Sequence, residues 1–196
     1  LLNDILDLSR VEAGKIELEN IELSIHNIVK SVCKGLSVLA RDKGLELVWE
    51  SEPQVPETLI GDPVRIRQVL VNLINNAIKF TDKNGEVVIS VNLVKDAEKF
   101  ATIRFEVSDT GIGIPDEKQK LIFEAFKQAD GTTSRKYGGT GLGLSISKEL
   151  TCLLKGRISM KSEYGKGCTF TLYLPDSLEL ESDIKPQQVI SLPTPI

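Results

Sequence analysis

The chain has 196 residues, of which 28 are acidic and 24 basic, so its net charge is −4. Apolar residues make up 41% of it and charged residues 27%, which is typical of globular domains and excludes wholesale disorder. This charge gives no electrostatic reason to bind nucleic acid or a membrane surface, and no apolar run is long enough to cross a bilayer. Three cysteines without metal-ligand spacing indicate free thiols in a reducing compartment. We therefore expect a cytoplasmic domain that contacts neither nucleic acid nor membrane.

The two ends of the chain differ in pattern from its middle. An apolar stripe at helical spacing runs from Leu1 to Val11, and Gly14 suits the left-handed cap that ends a helix. Residues 1–14 are therefore predicted to be the end of a longer helix. Residues 176–196 are rich in Glu, Pro, Ser and Gln without any period, which predicts a linker or disordered tail.

Two helices with clear start signals are predicted in the first half of the chain. Ser24 is a suitable N-cap for a helix whose apolar residues, over 25–39, fall on one face. Asp62 followed by Pro63 marks the start of a second helix, because aspartate caps the free amide groups and proline fits the first helical position. The apolar pattern extends this helix to about Lys79.

Strands are predicted where apolar and polar residues alternate. Antiparallel strand pairs with helices on one face give an α+β fold, a two-layer sandwich with a mixed, mostly antiparallel sheet, over residues 15–175. The predicted strands lie at 15–23, 45–50, 86–94, 101–108, 157–162 and 168–174, with a turn at 96–99 and a third helix at 143–154.

Ten of the fifteen glycines lie between residues 111 and 167, in three main clusters. Glycine-rich loops let backbone amides point at phosphate oxygens, and the second cluster also opens a helix, whose N-terminus favours anions. A dinucleotide-binding βαβ unit does not surround Gly141 and Gly143, and the chain lacks the GxxxxGK[ST] pattern of a P-loop. The clusters therefore predict a nucleotide site of another type.

Polar residues near these clusters suit a bound nucleotide. Asp109 follows an apolar strand, and its carboxylate would accept a hydrogen bond from an exocyclic amine; an Asx turn that closes the strand is an equal alternative. Asn72, Asn76 and Lys79 share one helix face. Amide oxygens can ligate Mg²⁺, and a lysine reaches phosphates as a flexible charge, whereas a solvated polar face is the alternative.

Five motifs in order resemble those of sensor histidine kinases. They are an N-box at 72–81, a G1 box at 109–113, an F-box at 123–126, a G2 box at 139–144 and a distal glycine motif at 165–170. The resemblance covers roughly residues 15–175 and implies the Bergerat ATP-binding sandwich, with ATP and Mg²⁺ as cofactors. Residues 1–14 resemble the end of the second helix of the dimerisation and phosphoacceptor domain. That segment and the acidic tail resemble hybrid kinases, in which a receiver domain follows.

The resemblance implies a role for each residue of the N-box and of the G1 box. Asp109 would hold the amine of adenine, with Thr169 nearby. Asn76 would ligate Mg²⁺, with Asn72 beside the phosphates. Lys79 would contact phosphate or ribose. Asn72 and Lys79 would both be catalytic residues. The base pocket would be completed by Phe80, Gly111, Gly113 and Ile114.

The resemblance also implies a mobile ATP lid at residues 127–137. Arg135 or Lys136 would neutralise charge that develops on the γ-phosphate, and we take Arg135 as the third catalytic residue; a solvated basic turn is an equal alternative. Phe123 and Phe126 would pack at the base of the lid rather than contact the ligand. The lid hinge and the phosphate-binding amides would come from Tyr137, Gly138, Gly139, Thr140, Gly141, Leu142 and Gly143.

Asn72 bears on the type of reaction. Bergerat proteins that hydrolyse ATP resemble this N-box but carry glutamate at this position, where it activates water as a general base. An amide has no basic lone pair, whereas a neutral imidazole is already nucleophilic. The residue therefore favours phosphoryl transfer to histidine over hydrolysis. A regulatory or scaffold module that binds ATP without transfer is the second hypothesis.

The phosphoacceptor histidine of the family would precede Leu1, and His26 lacks the flanking pattern of such a box. We therefore expect a domain that binds Mg-ATP without phosphorylating itself. Its partners would be its own dimerisation domain and a response regulator or fused receiver domain. The parent protein would be a homodimer, whereas this piece, with about four turns at residues 1–14, would be mostly monomeric.

Overall fold

The computed structural model describes residues 16–95, 101–124 and 141–175, together with Leu6 and residues 9–11 and 13–14. Within these residues the chain forms four helices and seven strands. The elements are β1 (Ile21–Leu23), α1 (Ile25–Lys43), β2 (Glu46–Ser51), β3 (Leu59–Gly61), α2 (Pro63–Phe80), β4 (Glu86–Lys95), β5 (Ala101–Asp109), α3 (Asp116–Gln119), α4 (Gly143–Leu153), β6 (Arg157–Glu163) and β7 (Gly167–Pro175).

Five strands form one mixed sheet in the order β2-β4-β5-β7-β6. β2 runs parallel to β4, and the other three neighbouring pairs are antiparallel. β1 and β3 form a separate antiparallel pair. The predicted α+β class with a mixed, mostly antiparallel sheet is confirmed.

The sheet has one face covered by helices and one open face. Along β5, Ile103, Phe105 and Val107 are buried, whereas Arg104 and Glu106 between them are only half-buried. The buried side chains join those of α1, α2 and α4 in one hydrophobic core. Side chains at odd positions of β5 therefore point towards the helices, and this alternation fixes which residues can reach the candidate site.

The two long helices begin where capping chemistry predicts. Ser24 accepts a hydrogen bond from the Asn27 amide at 3.3 Å at the start of α1. Asp62 accepts from the amides of Val64 and Arg65, both at 3.0 Å, at the start of α2. These bonds satisfy amide groups that lack a partner within the helix. Both predicted caps are confirmed.

Two short elements, β3 and α3, were not predicted, and β1 is only the end of the strand expected at 15–23. Three or four residues are too few to show a period, and only pairing with β1 makes β3 a strand. The expected turn at 96–99 and tail at 176–196 lie outside the described residues. None of the described helices is both long and apolar enough to cross a membrane.

The three cysteines are free thiols in different surroundings. Cys33 lies on the buried face of α1 in the core, and burial raises its pKa to about 11. Cys168 is buried on β7, whereas Cys152 is exposed on α4. Two of the three thiols are thus shielded by the folded chain.

Candidate nucleotide-binding site

The loop after β5 is held between the end of α2 and the turn that joins β6 to β7. The Ile112 amide donates a hydrogen bond to the Phe80 carbonyl at 3.2 Å, and the Gly165 amide donates to the Ile112 carbonyl at 2.8 Å. Gly111 is buried, and a Cβ atom there would collide with the Phe80 carbonyl. The G1 box therefore joins the N-box and the distal glycine motif through backbone contacts.

Two further glycines allow other close backbone approaches in this loop cluster. Gly113 has a φ of +66°, and a Cβ atom there would collide with the Glu163 carbonyl. Gly167 has a φ of +118°, and a Cβ atom there would collide with the Asp109 carbonyl. These motif glycines are thus required by the packing of the protein itself, whatever they contribute to a ligand.

Asp109 ends β5 on the helix-covered side of the sheet. Its Oδ1 accepts a hydrogen bond from the Gly111 amide at 2.9 Å, so the Asx turn that the sequence allowed is present. Burial raises the pKa of Asp109, while the backbone amides of Gly111 and Cys168 act in the opposite direction. The carboxylate has more acceptor positions than these two amides fill, so it can still accept from a ligand.

Thr169 does not lie beside the Asp109 side chain, contrary to expectation. In the β5–β7 register, Asp109 lies opposite Cys168, and Thr169 lies opposite Ser108. Directly opposed residues share a face of the sheet, so Thr169 belongs to the open face, where its hydroxyl lies 2.9 Å from that of Ser108. Cys168 is the neighbour of Asp109, and burial, followed by the Asp109 charge, raises its pKa to about 12.

Asn72 joins α2 to the start of α4. Its Nδ2 donates to the Gly143 carbonyl at 3.2 Å and to the Ser147 hydroxyl at 3.3 Å. Asn76 lies one turn further along the same face and is half-buried, and within the described residues its side chain has no hydrogen-bond partner. The N-box and the G2 box therefore meet, with an amide oxygen of Asn76 available beside them.

Lys79 and Phe80 close the last turn of α2. The Lys79 ammonium lies 4.7 Å from the centre of the Phe80 ring, and both side chains are half-buried. Burial lowers the pKa of Lys79. A lysine ammonium at this position is suited to contact a phosphate group or a sugar oxygen of a bound nucleotide.

The residues present fit Mg²⁺ held by few protein ligands. No cluster of three or more His, Cys, Asp or Glu side chains with metal-binding geometry occurs among the described residues. A cation beside the Asn76 amide oxygen would therefore take its other ligands from phosphates and water. Mg²⁺ is commonly bound in this way.

Gln119 and Ser162 support the G1 loop and were missed in the sequence. The Ser162 hydroxyl accepts from the Ile114 amide at 2.8 Å and donates to the Gly167 carbonyl at 2.8 Å. Gln119 Nε2 lies 3.0 Å from the Ile114 carbonyl and 3.1 Å from the Ser162 carbonyl. A glutamine on a one-turn helix and a serine on a strand give no sequence signal, because their role depends on contacts with distant residues.

The G2 side of the site is described in part. Gly141 has a φ of +72°, the Leu142 side chain is fully buried, and Gly143 is the first residue of α4. Phe123 packs edge-on against Phe170, with ring centres 6.2 Å apart, in line with a packing role. The expected site residues that lie outside the described part are Phe126, Arg135, Lys136, Tyr137, Gly138, Gly139 and Thr140.

Comparison with known sequences finds relatives that are named as histidine kinases. The chain is 44% identical over 184 residues to hybrid signal transduction histidine kinase L of Dictyostelium discoideum, covering 93% of this chain and 11% of that protein. It is 41% identical over 184 residues to the signal transduction histidine-protein kinase BarA of Escherichia coli K12, covering 94% of this chain and 20% of that protein. The chain thus spans between a tenth and a fifth of these relatives.

Solved structures agree with these relatives. Full-length ShkA in complex with AMPPNP superposes with a TM-score of 0.77 at 33% identity, covering 88% of this chain and 34% of that one. The catalytic domain of histidine kinase ThkA superposes with a TM-score of 0.66 at 26% identity, covering 82% of this chain and 97% of that one. The family model for histidine kinase-, DNA gyrase B- and HSP90-like ATPases matches residues 61–178. The chain belongs to this family, and the relatives that it resembles are named histidine kinases.

Proposed function

We propose that the domain binds Mg-ATP between the end of α2, the loop after β5 and the start of α4, and passes the γ-phosphoryl group to a histidine of a separate phosphoacceptor domain. The observation that carries this proposal is the meeting of the motifs at one edge of the sandwich. The Phe80 carbonyl binds the Ile112 amide, the Ile112 carbonyl binds the Gly165 amide, and Asn72 binds the Gly143 carbonyl.

In this proposal Asp109 selects the base. Its carboxylate accepts a hydrogen bond from the exocyclic amine of adenine, whereas the carbonyl of guanine at the same ring position would face it with a second acceptor. Gly111, Gly113 and Ile114 form the wall of the base pocket, held in place by Ser162. Phe80 packs beside the base.

The phosphates occupy the side of the site nearer to α4. Asn76 supplies an oxygen to Mg²⁺, which when bound neutralises charge on the phosphate groups. Lys79 holds the phosphates together with the positive end of α4, and Asn72 lies beside them. The backbone of Gly141, Leu142 and Gly143 contributes amides there. The remaining contacts are assigned to Arg135, which neutralises γ-phosphate charge, and to the lid and hinge residues Tyr137, Gly138, Gly139 and Thr140.

The hydrogen bonds and the amide chemistry of Asn72 favour phosphoryl transfer over hydrolysis. Its amide nitrogen is occupied by the Gly143 carbonyl and the Ser147 hydroxyl, and an amide oxygen is too weak a base to activate water. A neutral histidine needs no such base. The partners in this proposal are the dimerisation domain of the same protein and a response regulator or fused receiver domain, all in the cytoplasm, within a homodimeric parent.

Calorimetric titration with AMPPNP, with and without Mg²⁺, tests the nucleotide site. We expect Mg²⁺-linked binding to the wild type and a loss of roughly 10- to 1000-fold in Asp109→Asn, because a site built to bind an amine loses its charged acceptor. Asp42→Asn, at an exposed position of α1, is the matched control and should bind as the wild type does. A folded wild type that binds no nucleotide would contradict the proposal.

A second measurement separates transfer from mere binding. The domain is mixed with the dimerisation domain of a relative and with labelled ATP, and acid-labile phosphate on that domain is measured. Label on the added domain supports transfer. Tight Mg-ATP binding without any label would favour the regulatory or scaffold hypothesis instead.

A further inference from the structure

The carbonyl groups at the end of α2 have an unusual partner in α1. Lys43, the last residue of α1, directs its ammonium group to the Ile78 carbonyl at 2.7 Å and to the Lys79 carbonyl at 2.6 Å. The last four carbonyls of an α-helix have no partner inside the helix, so these two would otherwise need water. A cation also suits the negative end of the helix dipole.

The neighbouring carbonyls of α2 are satisfied by its own C-cap residue and by the G1 loop. The Ala77 carbonyl accepts from the Thr81 amide at 3.1 Å and from the Thr81 hydroxyl at 2.7 Å. The Phe80 carbonyl accepts from the Ile112 amide of the G1 loop. Lys43 therefore completes a set of bonds that holds all four terminal carbonyls, and it is the member of that set that comes from another helix.

The position of Lys43 is itself fixed. α1 ends in Gly44 at a φ of 72°, whose amide bonds back to the carbonyls of Ala40 and Arg41. The Lys43 side chain is half-buried, so its stem and ammonium lie along the end of α2 rather than in open solvent. Holding a long side chain in one place costs entropy, and the two charge-assisted hydrogen bonds offset that cost.

We propose that Lys43 is a positioning residue of the nucleotide site, which rests on the function proposed above. The last turn of α2 carries Lys79 and Phe80, and helix ends fray where their carbonyls lack partners. Without the Lys43 ammonium this turn samples more conformations, and nucleotide binding then has to order it. Lys43 acts through the backbone of α2 and does not contact the reacting atoms.

The first test compares nucleotide affinities in variants of α1. Lys43→Met keeps the apolar stem and removes the ammonium, and we expect it to bind Mg-AMPPNP roughly tenfold more weakly at a temperature where it remains folded. Lys34→Met is the matched control, because Lys34 is exposed on the same helix, and it should bind as the wild type does. Lys43→Gln provides the same comparison if Lys43→Met does not fold.

The second test asks whether Lys43 acts through Lys79. In a double-mutant cycle with Lys79→Ala, the effect of Lys43→Met on affinity should fall to less than about threefold, since the side chain that it positions is gone. Independent losses that multiply would overturn the proposal, as would unchanged affinity in a folded Lys43→Met variant. A wild type that binds no nucleotide would instead refute the proposed function, so the two failures are distinguishable.

Discussion

Asp109 combines a structural bond with the chemistry of ligand recognition. The same carboxylate closes the Asx turn through the Gly111 amide and stays half-buried with acceptor capacity left. A charge held in this environment is unfavourable until a ligand donates to it, and its pKa is raised by burial for that reason. The charge of Asp109 therefore favours ligand binding but lowers the stability of the unliganded domain.

Asp109→Asn should raise the stability of the unliganded domain at neutral pH. The folded pKa lies above the unfolded one, so stability is lost as pH rises from the unfolded pKa through the folded pKa, and ionisation of Asp109 carries this cost. The neutral amide avoids it. Thermal unfolding at pH 7.5 and at a pH below both pKa values measures the effect, which should be larger at pH 7.5. A variant that unfolds at lower temperature than the wild type at pH 7.5 would contradict this explanation.

Gly111→Ala should destabilise the domain by roughly 1–3 kcal/mol, because the new Cβ atom meets the Phe80 carbonyl and one of the two segments must move. Gly35→Ala is the matched control. Gly35 lies within α1, and a Cβ atom there meets nothing within 4 Å. That substitution should stabilise the domain by roughly 0.5–1 kcal/mol, since alanine favours helix. Urea unfolding of both variants distinguishes a steric clash at residue 111 from a general effect of replacing glycine with alanine.

At the scale of elements, helix ends were predictable and strand register was not. Asp62 and Pro63 act on amides within three residues of themselves, so local sequence contains the whole signal. The opposition of Asp109 and Cys168 depends on pairing between strands 59 residues apart, and a shift of one residue exchanges the two faces. Thr169 was misplaced for this reason, although the motif containing it was found.

Sequence motifs also located the site without revealing what supports it. The motif glycines and Asn72 could be found because their order along the chain is distinctive. The second role of Gly111, as the contact point for the Phe80 carbonyl, appears only once β5 and α2 are packed together. Gln119 and Lys43 were missed because a single polar side chain carries no periodic signal.

Asp62→Ala should destabilise the domain by about 2 kcal/mol, at the upper end of N-cap effects. Asp62 is 3% exposed and accepts from the Glu19 amide at 3.2 Å as well as from the first turn of α2. Asp62→Asn keeps an acceptor and should lose less. Ser24→Ala, which removes a more exposed cap bond, should also lose less. Equal losses of unfolding free energy in all three variants, measured by urea unfolding, would show that the buried cap contributes no more stability than the exposed one.

For the molecule as a whole, distance separates the only histidine from the site. His26 lies at the start of α1 with its ring 4.6 Å from that of Trp49, whereas Lys43 ends α1 beside the candidate site. Seventeen residues of helix span about 25 Å. A nucleotide bound at the end of α2, as proposed, would therefore lie too far from His26 of the same molecule for direct transfer.

Incubation of the domain alone with labelled ATP should leave it unlabelled. His26→Gln should transfer phosphate to an added dimerisation domain as well as the wild type does. Acid-labile label on the wild type that disappears in His26→Gln would contradict this prediction and would require a different arrangement of the molecule.

The three cysteines differ in exposure, so the rate at which each thiol is labelled reports on local opening of the structure. Cys152 is exposed, whereas Cys33 and Cys168 are buried, with pKa values raised to about 11 and about 12. A thiol reagent should modify one cysteine quickly in the native protein and all three after unfolding. Because Cys168 lies opposite Asp109, the slow labelling rate at Cys168 measures how often β5 and β7 separate beside the base pocket. Nucleotide should reduce that rate.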